Sequence, residues 1–385
     1  MATVNRLYVD NAASQPLRPE ALEAMNAMAA QGNPAGQYAT GRAARSHLED
    51  AREQIAELLG ADAAEVIFTG SGTEANNIAV QGLAFGSKAQ RGASVIASAN
   101  IEHPAVMESV SWICDGPIDF GFTQQRLPVD ADGRVQLPSE LDPQEIALLT
   151  CMWANNETGN IQPVQQFADH GILFHTDAVQ AVGHLPIDFH ELGAATLAAS
   201  AHKFGGPKSL GILLARRDAT ILSPVRGGGQ ERKLRSGTVN VQGAVGAAAA
   251  LASAFKNMEE ENKKMAAARD LVRTAAENIP DVRIWTNEPA LPGHLHMSFP
   301  GAEGDSLIML LDAAGVDAST GSACSAGVNR ASHVLTAMGV DVDVARGALR
   351  LTFGPHVTQQ EAAELAEKLP RIVEQARLAG MASGA

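Results

Sequence analysis

Continuous apolar runs, rather than alternating ones, punctuate the first half of the chain. EVIFT (65–69), SVIASA (94–99), IALLTCMWA (146–154), ILFHTDA (172–178), TLAASA (196–201) and GILLAR (211–216) all read this way. Strands covered by helices on both faces have this pattern, because neither side of the strand meets water. Helical periodicity fills several of the gaps. PEALEAMNAMAA (19–30) carries proline near its first turn, and ARSHLEDAREQIAELLG (44–60) ends at Gly60, a plausible C-cap. IAVQGLAF (78–85) continues as a helix from a glycine turn. The order of strands and helices predicts an α/β fold, with a mostly parallel central sheet and helices on both faces. RLYVD (6–10) reads as a short strand or an extended arm, and GNPAGQYATG (32–41) as a glycine-rich loop.

The pattern changes beyond residue 240. Residues 241–279 are helical throughout, too long for an ordinary helix, so a break or a helix that bridges two domains is expected. VRIW (282–285), HLHMSFP (294–300), GDSLIMLLDAAG (304–315) and ALRLTFG (348–354) then suggest a smaller α+β unit. TQQEAAELAEKLPRIVEQARLAG (358–380) reads as a surface helix that Pro370 should kink or break. The expected division is a large domain over 16–250 and a small one formed by 1–15 with 251–385.

Composition narrows the function classes. A chain of 385 residues with 45% hydrophobic residues supports more than one core. Its formal net charge of -14, with no basic aromatic patch, argues against nucleic acid and anionic membrane as partners. Three widely spaced cysteines, Cys114, Cys151 and Cys324, match neither a disulfide framework nor a zinc site, which points to a reducing compartment and no bound metal. The start lacks a long apolar stretch, and no run is long enough to span a bilayer, so a cytoplasmic location is expected.

Candidate chemistry gathers at the ends of the apolar strands. GSGTEANN (70–77) follows one of them and opens a helix; its backbone N–H groups and the helix dipole favour an anion, and Thr73 adds a hydroxyl. The motif is neither a dinucleotide fingerprint nor a P-loop, and a plain tight turn explains it equally well. Lys203, in SAHKFGGP (200–207), is either a lysine snorkelling to water or an amine held for a Schiff base with an aldehyde cofactor. Ser200 and His202 beside it are phosphate donors. Asp177 ends another strand, with Gln180 close behind. An aspartate facing a pyridinium nitrogen is what pyridoxal phosphate chemistry requires, although Asp177 also suits a helix N-cap. His103, in IEHPAV (101–106), is a flat ring suited to stacking or proton transfer, or an ordinary loop histidine. One cofactor at the carboxyl ends of parallel strands would unite these residues.

The chain resembles the pyridoxal-phosphate cysteine desulfurases of the NifS/IscS kind, in the fold-type I class-V aminotransferase group, and in detail the actinobacterial-type members. The resemblance runs nearly end to end: YVDNAA (8–13), FTGSGTEANN (68–77), EHPAV (102–106), WANNETGNIQP (153–163), HTDAVQAVG (175–183), SAHKFGGP (200–207), GGGQERKLRSGTVN (227–240), GSACSAG (321–327), SHVLTAMG (332–339) and RLTFG (350–354). It implies pyridoxal 5′-phosphate bound covalently to Lys203, its phosphate held by Thr73, Ser200 and His202. Asp177 would face the pyridine nitrogen, Gln180 the phenolic oxygen, and His103 the ring. Asn155 and Arg350 would receive the carboxylate of L-cysteine, with Asn11 and Ala13 near the substrate. Thr238 would reach the cofactor phosphate of a partner subunit, which implies a homodimer.

Cys324 lies among small residues in STGSACSAGVNRASH (319–333), a composition that predicts an exposed loop. Cys151 reads as a buried apolar residue, and Cys114 reads the same way. The resemblance makes Cys324 the thiol that takes sulfur from L-cysteine as a persulfide, leaving L-alanine, and hands it to an acceptor such as an iron–sulfur scaffold or a thiolation protein; any iron–sulfur or persulfide hand-off there would be transient. Three positions depart from the family pattern: Tyr38 where histidine is frequent, Thr352 where serine is usual, and Ser14 with Gln15 where two threonines are common. Tyr38 leaves substrate preference open, with a selenocysteine lyase as the main rival and an aminotransferase or a scaffold without activity as more distant ones.

Overall fold

A computed structural model of the chain describes residues 6–138, 141–322 and 331–383. Twelve strands occur among them: β1 (Leu7–Tyr8), β2 (Val66–Thr69), β3 (Val95–Ala99), β4 (Thr123–Leu127), β5 (Ile146–Thr150), β6 (Phe174–Asp177), β7 (Thr196–Ser200), β8 (Gly211–Ala215), β9 (Arg283–Ile284), β10 (His294–Ser298), β11 (Val316–Asp317) and β12 (Ala348–Thr352). Seven form the central sheet, in the order β2-β8-β7-β6-β5-β3-β4. Only β8 runs against its neighbours, so the sheet is mostly parallel, as the unbroken apolar runs predict.

Alternation along these strands shows why they are apolar on both sides. Phe68, Leu197, Ala199, Ile212 and Leu214 enter one hydrophobic cluster. Their neighbours Ile67, Ala198 and Leu213 enter another on the opposite face. The first cluster includes the buried stripe Ala44, Leu48, Ile55 and Leu59 of the helix Ala39–Leu59, which ends at Gly60 in the left-handed conformation, φ 61°. The helices Gly72–Arg91 and Pro104–Asp115 cover the other face.

The helix Val241–Glu277 runs 37 residues without a break. Its first half buries Ala244, Ala247 and Leu251 against the large cluster. Its second half buries Ala268, Val272 and Ala276 in a separate cluster with β10, β12 and the last helix, so it bridges two cores. The three-stranded sheet β12-β10-β9 and the parallel pair β1-β11 belong to this second region. Of the kink or break expected at Pro370, the break does not occur: the last helix, Gln359–Ser383, continues through it. Pro370 is exposed, while Leu365, Leu369, Ile372, Val373 and Ala376 keep one buried face on either side of it. Burial of that stripe outweighs the backbone bond that proline cannot make. No helix among the described residues is long and apolar enough to cross a membrane.

Candidate active site

The carboxyl ends of β2, β3, β5, β6 and β7 converge on a cavity of about 260 Å³. After β2, Ser71 caps the helix Gly72–Arg91 by accepting the Glu74 N–H at 3.0 Å. A Cβ on Gly72 would come within 2.9 Å of Val179 Cγ2 and 3.1 Å of Ser200 Cβ, so only glycine lets this helix start so close to the loops that follow β6 and β7. Thr73 lines the cavity beside that N-terminus, where free N–H groups and the helix dipole attract an anion.

After β3, His103 caps the helix Pro104–Asp115 with its own ring: Nδ1 accepts the Ala105 N–H at 3.1 Å. A neutral His103 therefore carries its proton on Nε2. Burial lowers its basicity, Asp177 opposes that shift, and Lys203 and His333 add to it. Protonation at Nδ1 would cost the helix its cap.

Asp177 ends β6 and is held from two sides. Asn76 Nδ2 donates to Oδ2 at 2.7 Å, and the Val179 N–H donates to Oδ1 at 3.0 Å. Since a carboxylate only accepts, the Asn76 amide can face it only through Nδ2. Asn76 Oδ1 must then accept from His175 Nε2 at 2.9 Å, and His175 Nδ1 accepts from the Thr196 hydroxyl at 2.9 Å. Burial pushes His175 down to about 3, which keeps it neutral in this chain of bonds. Asn76, His175 and Thr196 were not singled out in the sequence.

Lys203 follows β7. Its Nζ donates to the carbonyls of Ala12, at 2.5 Å, and Ala13, at 3.1 Å. Burial pushes the amine down to about 8; Arg350 adds to the shift, while Asp177 and Asp10 oppose it. Ser200 and His202 line the same cavity. Burial holds His202 at about 4, with Lys203 and Lys208 contributing, and its Nδ1 lies 3.2 Å from the Ser14 hydroxyl. Gln180 lines the cavity and donates to the Ala12 carbonyl at 2.9 Å.

Other expected residues stand apart. Asn155 is fully buried and spends its side chain on its own surroundings. Nδ2 donates to the Ile101 carbonyl, and Oδ1 accepts the N–H groups of Glu157 and Thr158. The neighbouring Asn156, which sequence reasoning passed over, lines the cavity with a buried Oδ1 that has no partner. Arg350, on β12, is held by the Asn156 carbonyl and Asp10, and its Nε is buried without a partner. Asn11 borders a smaller void of about 20 Å³, with its Oδ1 unpartnered. Thr238 is exposed and outside the cavity wall. Tyr38, 59% exposed, lies against Gly36 of its own loop rather than in the cavity. Cys324 lies outside the described residues. Cys151 is buried as expected, but Cys114 is only half-buried, its thiol pushed up to about 11 chiefly by burial. Glu102 is a further buried acid missed in the sequence: it accepts the Thr150 hydroxyl at 3.0 Å, and burial lifts its carboxyl well above the ordinary range.

The cavity suits pyridoxal 5′-phosphate. A helix N-terminus with Thr73, Ser200 and His202 offers an anion cradle, packed so closely that a Cβ on Gly72 would crowd it. An amine of lowered basicity and a braced carboxylate line the same space.

The aminotransferase class-V family model matches residues 7–365. An IscS-like cysteine desulfurase from Mycobacterium tuberculosis is 43% identical over 389 residues, covering 98% of this chain and 98% of that protein. Among solved structures, a NifS-like protein is 35% identical with a TM-score of 0.88, covering 96% of this chain and 100% of that one. A protein named SspA, solved in complex with cysteine, is 30% identical with a TM-score of 0.78, covering 91% of this chain and 99% of that one.

Proposed function

Because the chain belongs to the NifS/IscS-like cysteine desulfurases of the class-V aminotransferase family, we propose that it converts L-cysteine to L-alanine and transfers the sulfur to Cys324 as a persulfide. The observation that carries this reading is the Lys203 amine, of lowered basicity, in one cavity with the braced Asp177. Pyridoxal 5′-phosphate, when bound, supplies the electron sink for carbanion chemistry at the substrate Cα.

The residues divide the remaining work. Lys203 would hold the cofactor, and its free amine would take the Cα proton; a value of about 8 leaves part of it neutral near pH 7. Thr73, Ser200 and His202 would hold the cofactor phosphate, Asp177 would keep the pyridine nitrogen protonated, and Gln180 would hold the phenolic oxygen. His103 would hold the ring and offer its Nε2 proton. Arg350 receives the carboxylate, with Asn155 fixing the turn that presents Asn156 beside it. Asn11 and Ala13 close the substrate side. The Cys324 thiolate attacks the substrate sulfur; the S–S bond forms as the C–S bond breaks, and the bonding pair stays with the carbon, which is protonated on the way to alanine. The thiol of Cys324 thus becomes a persulfide, and L-cysteine, less one sulfur, becomes L-alanine.

The sulfur then passes to an acceptor protein, such as an iron–sulfur scaffold or a thiolation protein. The working unit in this reading is a homodimer in which Thr238 reaches the partner's cofactor phosphate. The large domain is 16–250, and 1–15 with 251–385 form the small one; the helix Val241–Glu277, which serves both clusters, supports a division within it. Purified protein with L-cysteine tests the reading. A yellow protein that makes alanine only while Cys324 is intact is expected. A C324A variant that makes alanine at the wild-type rate would refute the persulfide step, and a yellow wild type that makes none would reject L-cysteine as substrate.

A further inference from the structure

Two acids with no task in the proposed chemistry stand near Arg350. Glu157 is buried and already engaged: it accepts the Ser332 hydroxyl at 2.5 Å, and burial raises its carboxyl. Asp10 touches the guanidinium itself. Its Oδ1 lies 2.7 Å from Arg350 Nη2, while Nη1 donates to the Asn156 carbonyl at 2.8 Å. A planar guanidinium anchored at two nitrogens has its plane fixed, and the third nitrogen, Nε, is buried and unpartnered.

Asp10 is itself well held. It forms a bridge to Thr352, two residues beyond Arg350 on β12, and its carbonyl accepts the Tyr8 hydroxyl at 2.9 Å and the Ala13 N–H at 3.0 Å. The side chains of Arg350 and Asp10 are 6% and 22% exposed, so water screens this pair far less than a surface pair. The same short stretch supplies the Ala12 and Ala13 carbonyls that meet Lys203 Nζ.

We propose that Asp10 is a positioning residue for carboxylate recognition: it fixes the plane of Arg350 and thereby sets the affinity for ligands that carry an α-carboxylate. The inference rests on the reading that Arg350 receives the substrate carboxylate. A competing role exists, in which Asp10 occupies the carboxylate's place and must be displaced. The anchored geometry favours positioning, because the Asn156 carbonyl and Asp10 each take one N–H of a terminal nitrogen and each of those nitrogens keeps a second N–H.

The test uses cofactor-loaded enzyme and follows the visible band on titration with L-alanine and with ethylamine, the same molecule without its carboxylate. Wild type, D10A, D10N and D10E are compared. In D10A the dissociation constant for L-alanine should rise at least tenfold while that for ethylamine stays within twofold. D10N should show a smaller loss, and D10E should recover part of it. The KM for L-cysteine should rise with the L-alanine constant, and kcat should change less. An unchanged or tighter L-alanine constant in D10A would overturn the proposal, the tighter one in favour of a competitor. Parallel weakening of both ligands would overturn it in favour of general disturbance, and D10N provides the same comparison if D10A does not fold. A wild type that binds L-alanine no better than ethylamine would instead remove the role assigned to Arg350, whatever the variants do.

Discussion

Asn76 is the residue whose replacement tests the architecture behind Asp177 most directly. It is buried and joins a fully buried histidine to a carboxylate that lines the cavity: Nδ2 donates to Asp177 Oδ2 at 2.7 Å, and Oδ1 accepts from His175 Nε2 at 2.9 Å. N76L keeps much of the volume and removes both bonds. The lost bond to a carboxylate is worth about 1.5–3 kcal/mol, and the stranded His175 N–H costs about 1–3 kcal/mol. Because the two losses share one relaxing site, roughly 3–5 kcal/mol is expected. Urea unfolding of the cofactor-free protein measures this; with a slope of about 3 kcal/mol/M, the midpoint should fall by roughly 1–1.7 M. N76D probes the electrostatics separately. It sets a second carboxylate against Asp177, so the pair should retain one proton near neutral pH, and the visible band of the loaded enzyme should acquire a new pH dependence. An N76L midpoint within about 0.2 M of wild type, together with an N76D band that titrates as wild type does, would refute the account of a braced aspartate.

Two further expectations concern titration. With Lys203 at about 8, its neutral fraction rises from about 10% at pH 7 to about 90% at pH 9, whereas an ordinary lysine would still be almost wholly charged at pH 9. Cofactor uptake by the cofactor-free protein should therefore speed up about tenfold over that range and then level off; a rate still climbing tenfold per pH unit above 9 would contradict it. The second expectation is acid sensitivity. Burial holds His175 and His296 at about 3 and His184 at about 4, all below the ordinary 6.5, so the unfolded chain binds more protons in acid. Their contribution is complete above pH 6.5 and is lost as pH falls toward the folded values, at roughly 1.4 kcal/mol per pH unit for each histidine. The melting temperature should drop steadily from pH 6.5 to 5, and a flat profile would contradict the burial of neutral rings.

What the sequence revealed depended on how far apart the interacting residues lie along the chain. The strands were legible because burial on both faces leaves a local mark, an unbroken apolar run. The short strand β4, with only Leu127 fully buried, leaves no such mark and was missed. His103, Lys203, Asp177 and the glycine turn were legible because each sits where a strand ends, and such ends meet at one edge of a parallel sheet. The bracing beneath them was not legible as a unit, although part of it had a signal. His175 and Asp177 are two apart on β6 and so share a face, and a histidine in an otherwise apolar strand calls for a partner. The partners come from other elements: Thr196 by strand register and Asn76 from a helix a hundred residues earlier. At Pro370 a local rule allowed a break, and a long buried stripe keeps the helix continuous there.

The same separation explains how the site divides its labour. The groups that line the cavity stand at strand ends, where a change of one residue shifts chemistry without disturbing the sheet. The groups that hold them, Asn76, His175 and Thr196, are buried between strands and helix, with His175 and Thr196 sealed from solvent and Asn76 at the cavity wall. Removing Thr196's hydroxyl would leave His175 Nδ1 without a donor, but the tautomer would still be set by Asn76, whose Oδ1 accepts only a proton carried on Nε2. The chain that braces Asp177 thus ends on a threonine three hydrogen bonds away on the neighbouring strand, while the fold depends on that threonine only for its share of buried polar satisfaction.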